Sequence, residues 1–305
     1  MAGIRLREDD RGMTLLVKAI VVLIVFGVAL GVYFSYFAYK APAAGTASKI
    51  VELKDTVRIS YIGSFEDGRV FDTSIESVAN DNATFPKALS FTWRASYSDF
   101  SFTVGKTDCS DGSTDCAIIG MSDAVLGLQE GMSTTTTIPP DEGYGAKDER
   151  LITAKSVTEQ LPVREVMNVT TFQARFSAVP EDGSVIKDPV WGWLSRVHYA
   201  GGLVVVENSP EVTKTYPLYI DQIHGGTWSV FVQSIDDGAN NGTGVMTILD
   251  KFTFLGGNRL MVSKATGDLF VTENDDGTYT VDGNKEVVGV NLVFQIKIIQ
   301  ITKAS

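Results

Sequence analysis

Beyond the first fifty residues, apolar and polar positions tend to alternate. The stretches 57-VRISYIG-63, 203-LVVVE-207 and 292-LVFQIKIIQI-301 are rich in β-branched and aromatic residues, several with an apolar residue at every second position. That period belongs to strands with one buried face. Asp-Gly pairs at 67–68, 111–112, 182–183, 237–238, 276–277 and 282–283 supply turn signals between such runs. Helical spacing is scarce. One short helix is predicted at 122-SDAVLGLQE-130, with Ser122 or Asp123 as N-cap and Gly131 as terminator. The pattern predicts a β-rich α+β protein with very little helix.

The N-terminus breaks this texture. From Ala19 to Ala38 twenty residues pass without a charge, long enough for one bilayer-spanning helix. A cleaved signal peptide is the rival reading, given the small residues of 41-APAAGTA-47, but its apolar region runs to only about 7–15 residues. A retained anchor is therefore preferred. Arg5, Arg7, Arg11 and Lys18 precede the span and Lys40 and Lys49 follow it. By the positive-inside rule this keeps the N-terminus cytoplasmic and the rest extracytoplasmic. The organisation expected is a tail (1–18), a transmembrane helix (19–38) and an Ala-rich linker (39–52) ahead of the folded part.

Charge narrows the partners. The first forty residues hold five of the 26 basic and three of the 37 acidic residues, so the remainder carries about −13. Such a surface repels nucleic-acid phosphates, and nucleic acid is not an expected partner. The only cysteines, Cys109 and Cys116, flank an Asp-Gly turn and are read as a small disulfide loop suited to an oxidising compartment; the alternative is two unpaired thiols. Sequons at Asn82, Asn168 and Asn241 add weak support for that location. His198 and His224 stand alone, and no metal-ligand spacing, nucleophile elbow or phosphate loop occurs. No metal or cofactor is expected.

The middle, 151–282, reads as a separate β-rich unit containing Trp191, Trp193 and Trp228 and both histidines. Within it 206-VENSPEV-212 echoes 281-VDGNKEV-287, the mark of either chance or a repeat. Around it lie four unusual stretches: 57-VRISYIGSFEDGRVFDTS-74, 117-AIIGMSDAVLGLQEGM-132, 138-IPPDEGYG-145 and 291-NLVFQIKI-298. In order and content they resemble the FKBP-type peptidyl-prolyl isomerases, with Tyr-x-Gly, Asp-Gly and Phe-Asp in the first, Pro-Pro and Tyr-Gly in the third, and Leu-Val-Phe in the last. The resemblance covers 53–150 and 283–303. The excursion over 151–282 is similar to the SlyD-like branch, in which a second domain is inserted in the flap.

The resemblance implies an antiparallel sheet wrapped on a short helix, and a non-covalent rotamase that turns X–Pro bonds in exported proteins. It assigns Asp72 and Tyr144 as catalytic. It makes Tyr61, Phe71, Phe100, Ile118, Met121 and Phe294 the substrate-binding walls, Met121 standing where the family usually has tryptophan or leucine. Extra residues over 75–98 separate Phe100 from the first motif. Expected partners are unfolded or proline-containing polypeptides and, through the N-terminal helix, the membrane. The alternative is a membrane-anchored chaperone or peptide-binding module with a residual pocket, whose inserted domain presents 189-PVWGWLSRV-197 and 228-WSVFVQSI-235 to clients; the competing reading of these aromatics, preferred for at least two of the three tryptophans, is the insert's own core.

Overall fold

The computed structural model describes residues 49–110, 113–254, 258–264 and 267–305. The predicted tail, the transmembrane segment 19–38, most of the linker and the Asp-Gly pair at 111–112 lie outside these residues. Among the described residues no helix is long and apolar enough to cross a membrane.

The chain divides into two compact units, Met1–Ala146 with Val287–Ser305, and Lys147–Glu286. The boundaries expected at 151 and 282 fall inside the second unit, because its entering and leaving strands are tied together beyond them. Lys147 Nζ pairs with Asp282 at 2.6 Å, Asn284 Oδ1 accepts from Asp148 N at 2.9 Å, and Gly283 N donates to Leu151 O at 2.9 Å.

In chain order the strands of the first unit are β1 (Thr56–Phe65), β2 (Val70–Thr73), β3 (Phe100–Thr103) and β4 (Ser133–Ile138). Those of the second are β5 (Ile152–Ser156), β6 (Thr158–Pro162), β7 (Arg164–Asn168), β8 (Val185–Lys187), β9 (Leu194–Ala200), β10 (Leu203–Asn208), β11 (Thr215–Ile220), β12 (Thr227–Asp236), β13 (Val245–Thr253), β14 (Arg259–Lys264), β15 (Gly267–Glu273) and β16 (Thr278–Asp282). The chain then returns to the first unit as β17 (Leu292–Thr302). Three helices of more than a 3₁₀ turn are described: α1 (Glu76–Asn80), α2 (Ile119–Ala124) and α3 (Val169–Phe176).

The first unit is an antiparallel sheet in the order β2-β1-β17-β4, with β3 sharing the β2 edge of β1. β3 pairs along Thr56–Ile59 and β2 along Ile62–Ser64. Period-2 alternation places Val57, Ile59, Tyr61 and Phe65 of β1, with Leu292, Phe294, Ile296 and Ile298 of β17, in one core against α2. The opposite face buries Ile62 and Val70 under Val78, Ala79 and Phe91, so the extra residues over 75–98 build a second small core.

The predicted helix 122–130 is displaced. α2 begins at Ile119, ends at Ala124 and has no side-chain cap. Ser122 lies inside it, buried, with its hydroxyl accepting from Gly105 N at 2.7 Å, while Gly127 takes φ +76° and stops the turn early.

The second unit is three four-stranded antiparallel sheets: β7-β10-β9-β8, β11-β12-β13-β6 and β14-β15-β16-β5. Each combines a three-stranded meander with one strand of the run β5–β7, taken in reverse order, so the pairings are nested. The two stretches of the sequence echo reach equivalent places. Val206 on β10 pairs with Glu165 of β7, and Val281 on β16 with Thr153 of β5, each on the last strand of its meander.

Candidate functional site

In the first unit β1, β2, β3, β17, α2 and the loop after β4 converge on a cavity of about 300 Å³ lined by Tyr61, Phe71, Asp72, Phe100, Ile118, Met121, Tyr144 and Phe294, together with Cys109, Cys116 and Ala117. All eight site residues expected from the sequence reach it. The rings pack on one another: Phe71 and Phe294 meet edge to face at 5.5 Å, and Tyr61 lies 6.2 Å from both Phe100 and Phe294. Gly63 leaves the space they occupy. It pairs with Asp72 on one side and Phe294 on the other, and a Cβ there would lie 2.7 Å from Phe71 Cζ. Gly120 does the same for the floor, its missing Cβ making way for Ile138.

Asp72 is the polar centre. One oxygen accepts from the Tyr61 hydroxyl at 2.5 Å, the other from Thr73 N at 2.8 Å and from the Arg94 guanidinium. Burial, and then the Asp72 charge, push the Tyr61 phenol well above the usual range, so Tyr61 stays a donor. Arg94 also donates to Thr73 O and lies 5.1 Å over the Tyr97 ring. The sequence reading missed it, because Arg94 enters from the 75–98 excursion, where only surplus length marked anything unusual.

Tyr144 is carried on a pinned loop. Gly143 and Gly145 both donate to Pro140 O, at 3.1 and 2.7 Å, and Gly145 O accepts from Gly289 N at 2.8 Å. Gly145 sits at φ +82°, a conformation costly for other residues. Tyr144 is 47% exposed as a whole residue, yet desolvation on the cavity side, followed by the Asp72 charge, raises its hydroxyl above the ordinary phenol. It is protonated and able to donate at neutral pH. Cys109 and Cys116 are joined as a disulfide.

The three tryptophans fall on the core side of the two readings open to them. Trp193 is 1% exposed and forms core with Val230 and Ile248; Trp191 stacks on it at 5.3 Å; Trp228 donates to the buried Asp250 at 2.7 Å. Trp193 is thus interior, while Trp191 and Trp228 are partly buried against the cores of the second unit. Its exposed apolar side chains instead include Val166, Val185, Leu194 and Leu203, which share the outer face of β7-β10-β9-β8. The three sequon asparagines are exposed.

Residues 47–159 match the family model described as FKBP-type peptidyl-prolyl cis-trans isomerase. Over 103 residues the chain is 37% identical to the short-type peptidyl-prolyl cis-trans isomerase of Methanocaldococcus jannaschii, a match covering 34% of this chain and 56% of that relative. The chain thus spans little more than half the length of the curated relative it matches. β17, which supplies Phe294, lies beyond the matched residues and enters the same sheet through its pairing with β1.

Proposed function

We propose that the FKBP-type domain formed by the first unit catalyses cis–trans rotation of X–Pro bonds in polypeptides. The observation that carries this reading is the aromatic cavity with Asp72 and Tyr144 at its polar positions. The barrier to be lowered is roughly 18–20 kcal/mol and comes from amide resonance. The planar amide has more charge separation than the twisted transition state, so apolar walls disfavour the ground state relative to it. The Tyr144 hydroxyl donates to a substrate carbonyl and orients the proline. Asp72, with both oxygens already accepting, organises the pocket.

A peptide isomerisation assay tests this. Asp72→Ala and Tyr144→Phe should each lower kcat/KM by about tenfold or more. Wild-type rates in both variants would remove the assignment.

The second unit follows the Tyr144 loop directly, which supports the SlyD-like reading of an inserted domain. A holding role for that unit is the second reading, favoured by the exposed Val166, Val185, Leu194 and Leu203, which stand among charged residues on the outer face of β7-β10-β9-β8, rather than by the tryptophans. Tethering by residues 19–38, with the domain outside the membrane and acting on exported chains, is supported by the uncharged run, the basic residues before it and the disulfide.

A further inference from the structure

One part of the cavity wall is a disulfide. Cys109 and Cys116 both line it, bonded to each other with Cα atoms 5.8 Å apart. As the only cysteines of the chain, they form a single redox couple. The two halves are held in unlike ways. Cys116 is buried, and its neighbours are bonded into the domain: Asp115 O accepts from Thr103 N at 2.9 Å, and Ala117 N donates to Lys106 O at 3.1 Å. Lys106 and Asp115 close the same segment with an ion pair at 2.6 Å. Ala117 leads straight into Ile118, itself a lining residue. Cys109 is exposed and is fastened to this anchored segment through the disulfide, so a thiol reagent reaches the bond from the Cys109 side.

We propose that the Cys109–Cys116 disulfide is a substrate-contacting wall of the pocket, and that its reduction by a dithiol weakens binding of proline-containing polypeptide. The catalytic readout rests on the isomerase reading; the binding readout does not. In the reaction a dithiol thiolate attacks Cys109 Sγ, forms a mixed disulfide and releases Cys116 as a thiolate, which takes up a proton. The second thiol of the reagent then displaces Cys109. The protein disulfide gains two electrons and two protons, and the dithiol becomes a disulfide. Cys116 keeps its place through its neighbours, while Cys109 loses its covalent hold on the wall. Tyr61, Asp72 and Tyr144 are untouched, so the loss falls on KM rather than kcat.

The experiment compares the full chain in detergent in three forms: oxidised, dithiothreitol-reduced with two thiols counted by titration, and the C109S/C116S double variant. An X–Pro peptide supplies kcat, KM and a separate Kd. Reduction should raise KM and Kd by about threefold to tenfold, with kcat held within about twofold. The double variant should match the reduced form and ignore dithiothreitol. Equal KM and Kd in all three forms overturns the proposal. An oxidised form that binds without turnover removes the isomerase reading and leaves Kd to decide the wall. An oxidised form that does not bind overturns both. Should reduction unfold the domain, amide resonances of the oxidised protein decide instead. Peptide-induced shifts at Cys109 and Cys116 support the wall, and shifts at Tyr144 without them overturn it.

Discussion

Gly63 has Phe71 on one side and Phe294 on the other, and an added Cβ would lie 2.7 and 3.0 Å from their rings. Gly63→Ala therefore drives both walls inward. Overpacking of this kind costs about 1–3 kcal/mol, and kcat/KM should fall about tenfold or more through the displaced rings; a thermal melt and the peptide assay measure the two effects. Arg94 gives the opposite balance. It and Asp72 are 42% and 44% exposed, so Arg94→Ala should change stability by less than about 1 kcal/mol. Activity should still drop about threefold to tenfold, because Asp72 loses one of its orienting donors. Unchanged kcat/KM would show that Tyr61 and Thr73 suffice. The eight expected pocket residues were legible because four motifs kept their order and surroundings. Arg94 was not: no periodicity links a residue in an irregular excursion to a carboxylate on another strand.

Among the elements, β1 and β17 were readable from alternation alone, and Asp67-Gly68 and Asp276-Gly277 lie at hairpin turns, with Gly68 at φ +86° and Gly277 at +79°. The helix was misplaced because Ser122, a good cap by residue type, spends its hydroxyl on Gly105 instead. A local repeat also escaped notice. Asp188 and Asp221 each follow the first strand of a meander and open a D-x-x-x-G turn. In both, one carboxylate oxygen accepts from the N–H groups two and three residues on, and the glycine takes a positive φ. The signal lies in hydrogen bonds rather than in hydrophobic period. On β13, Asp250 is buried beside Trp228, and desolvation above all raises its carboxyl to about 6. Between about pH 4 and 6 the unfolded chain has released a proton that the folded one retains, so stability falls as pH rises through that window. Above it the penalty stays. Asp250→Asn should thus stabilise the protein by about 1–3 kcal/mol at pH 8 and leave pH 4 nearly unchanged. Urea unfolding followed by tryptophan fluorescence at the two pH values checks this, and an equal gain at both would contradict it.

For the whole molecule, the unit expected over 151–282 differs at both edges from the compact unit Lys147–Glu286, since the Lys147–Asp282 and Asp148–Asn284 ties join residues far apart in the chain. The cavity is lined entirely by the first unit, and Gly145 and Gly289 are hydrogen bonded to each other. Replacing 147–286 with a short Gly-Ser link should therefore leave peptide isomerisation within about threefold. Suppression of aggregation of an unfolded client should be lost with the deleted unit, and its survival would remove the holding role.

The position of β17 sets an order on synthesis. This strand lies between β1 and β4 and brings Phe294 to the cavity, yet it leaves the ribosome only after residues 147–286 have gone before it. During that interval β1 lacks its most extensive pairing partner, whereas all the strands of the second unit are already available to one another. The nested sheets can close in the sequence β7 with β10, β6 with β13 and β5 with β16, each spanning a longer loop than the last. The pocket is then the last part of the fold to be completed, and the emerging chain has no closed cavity while its second unit takes shape.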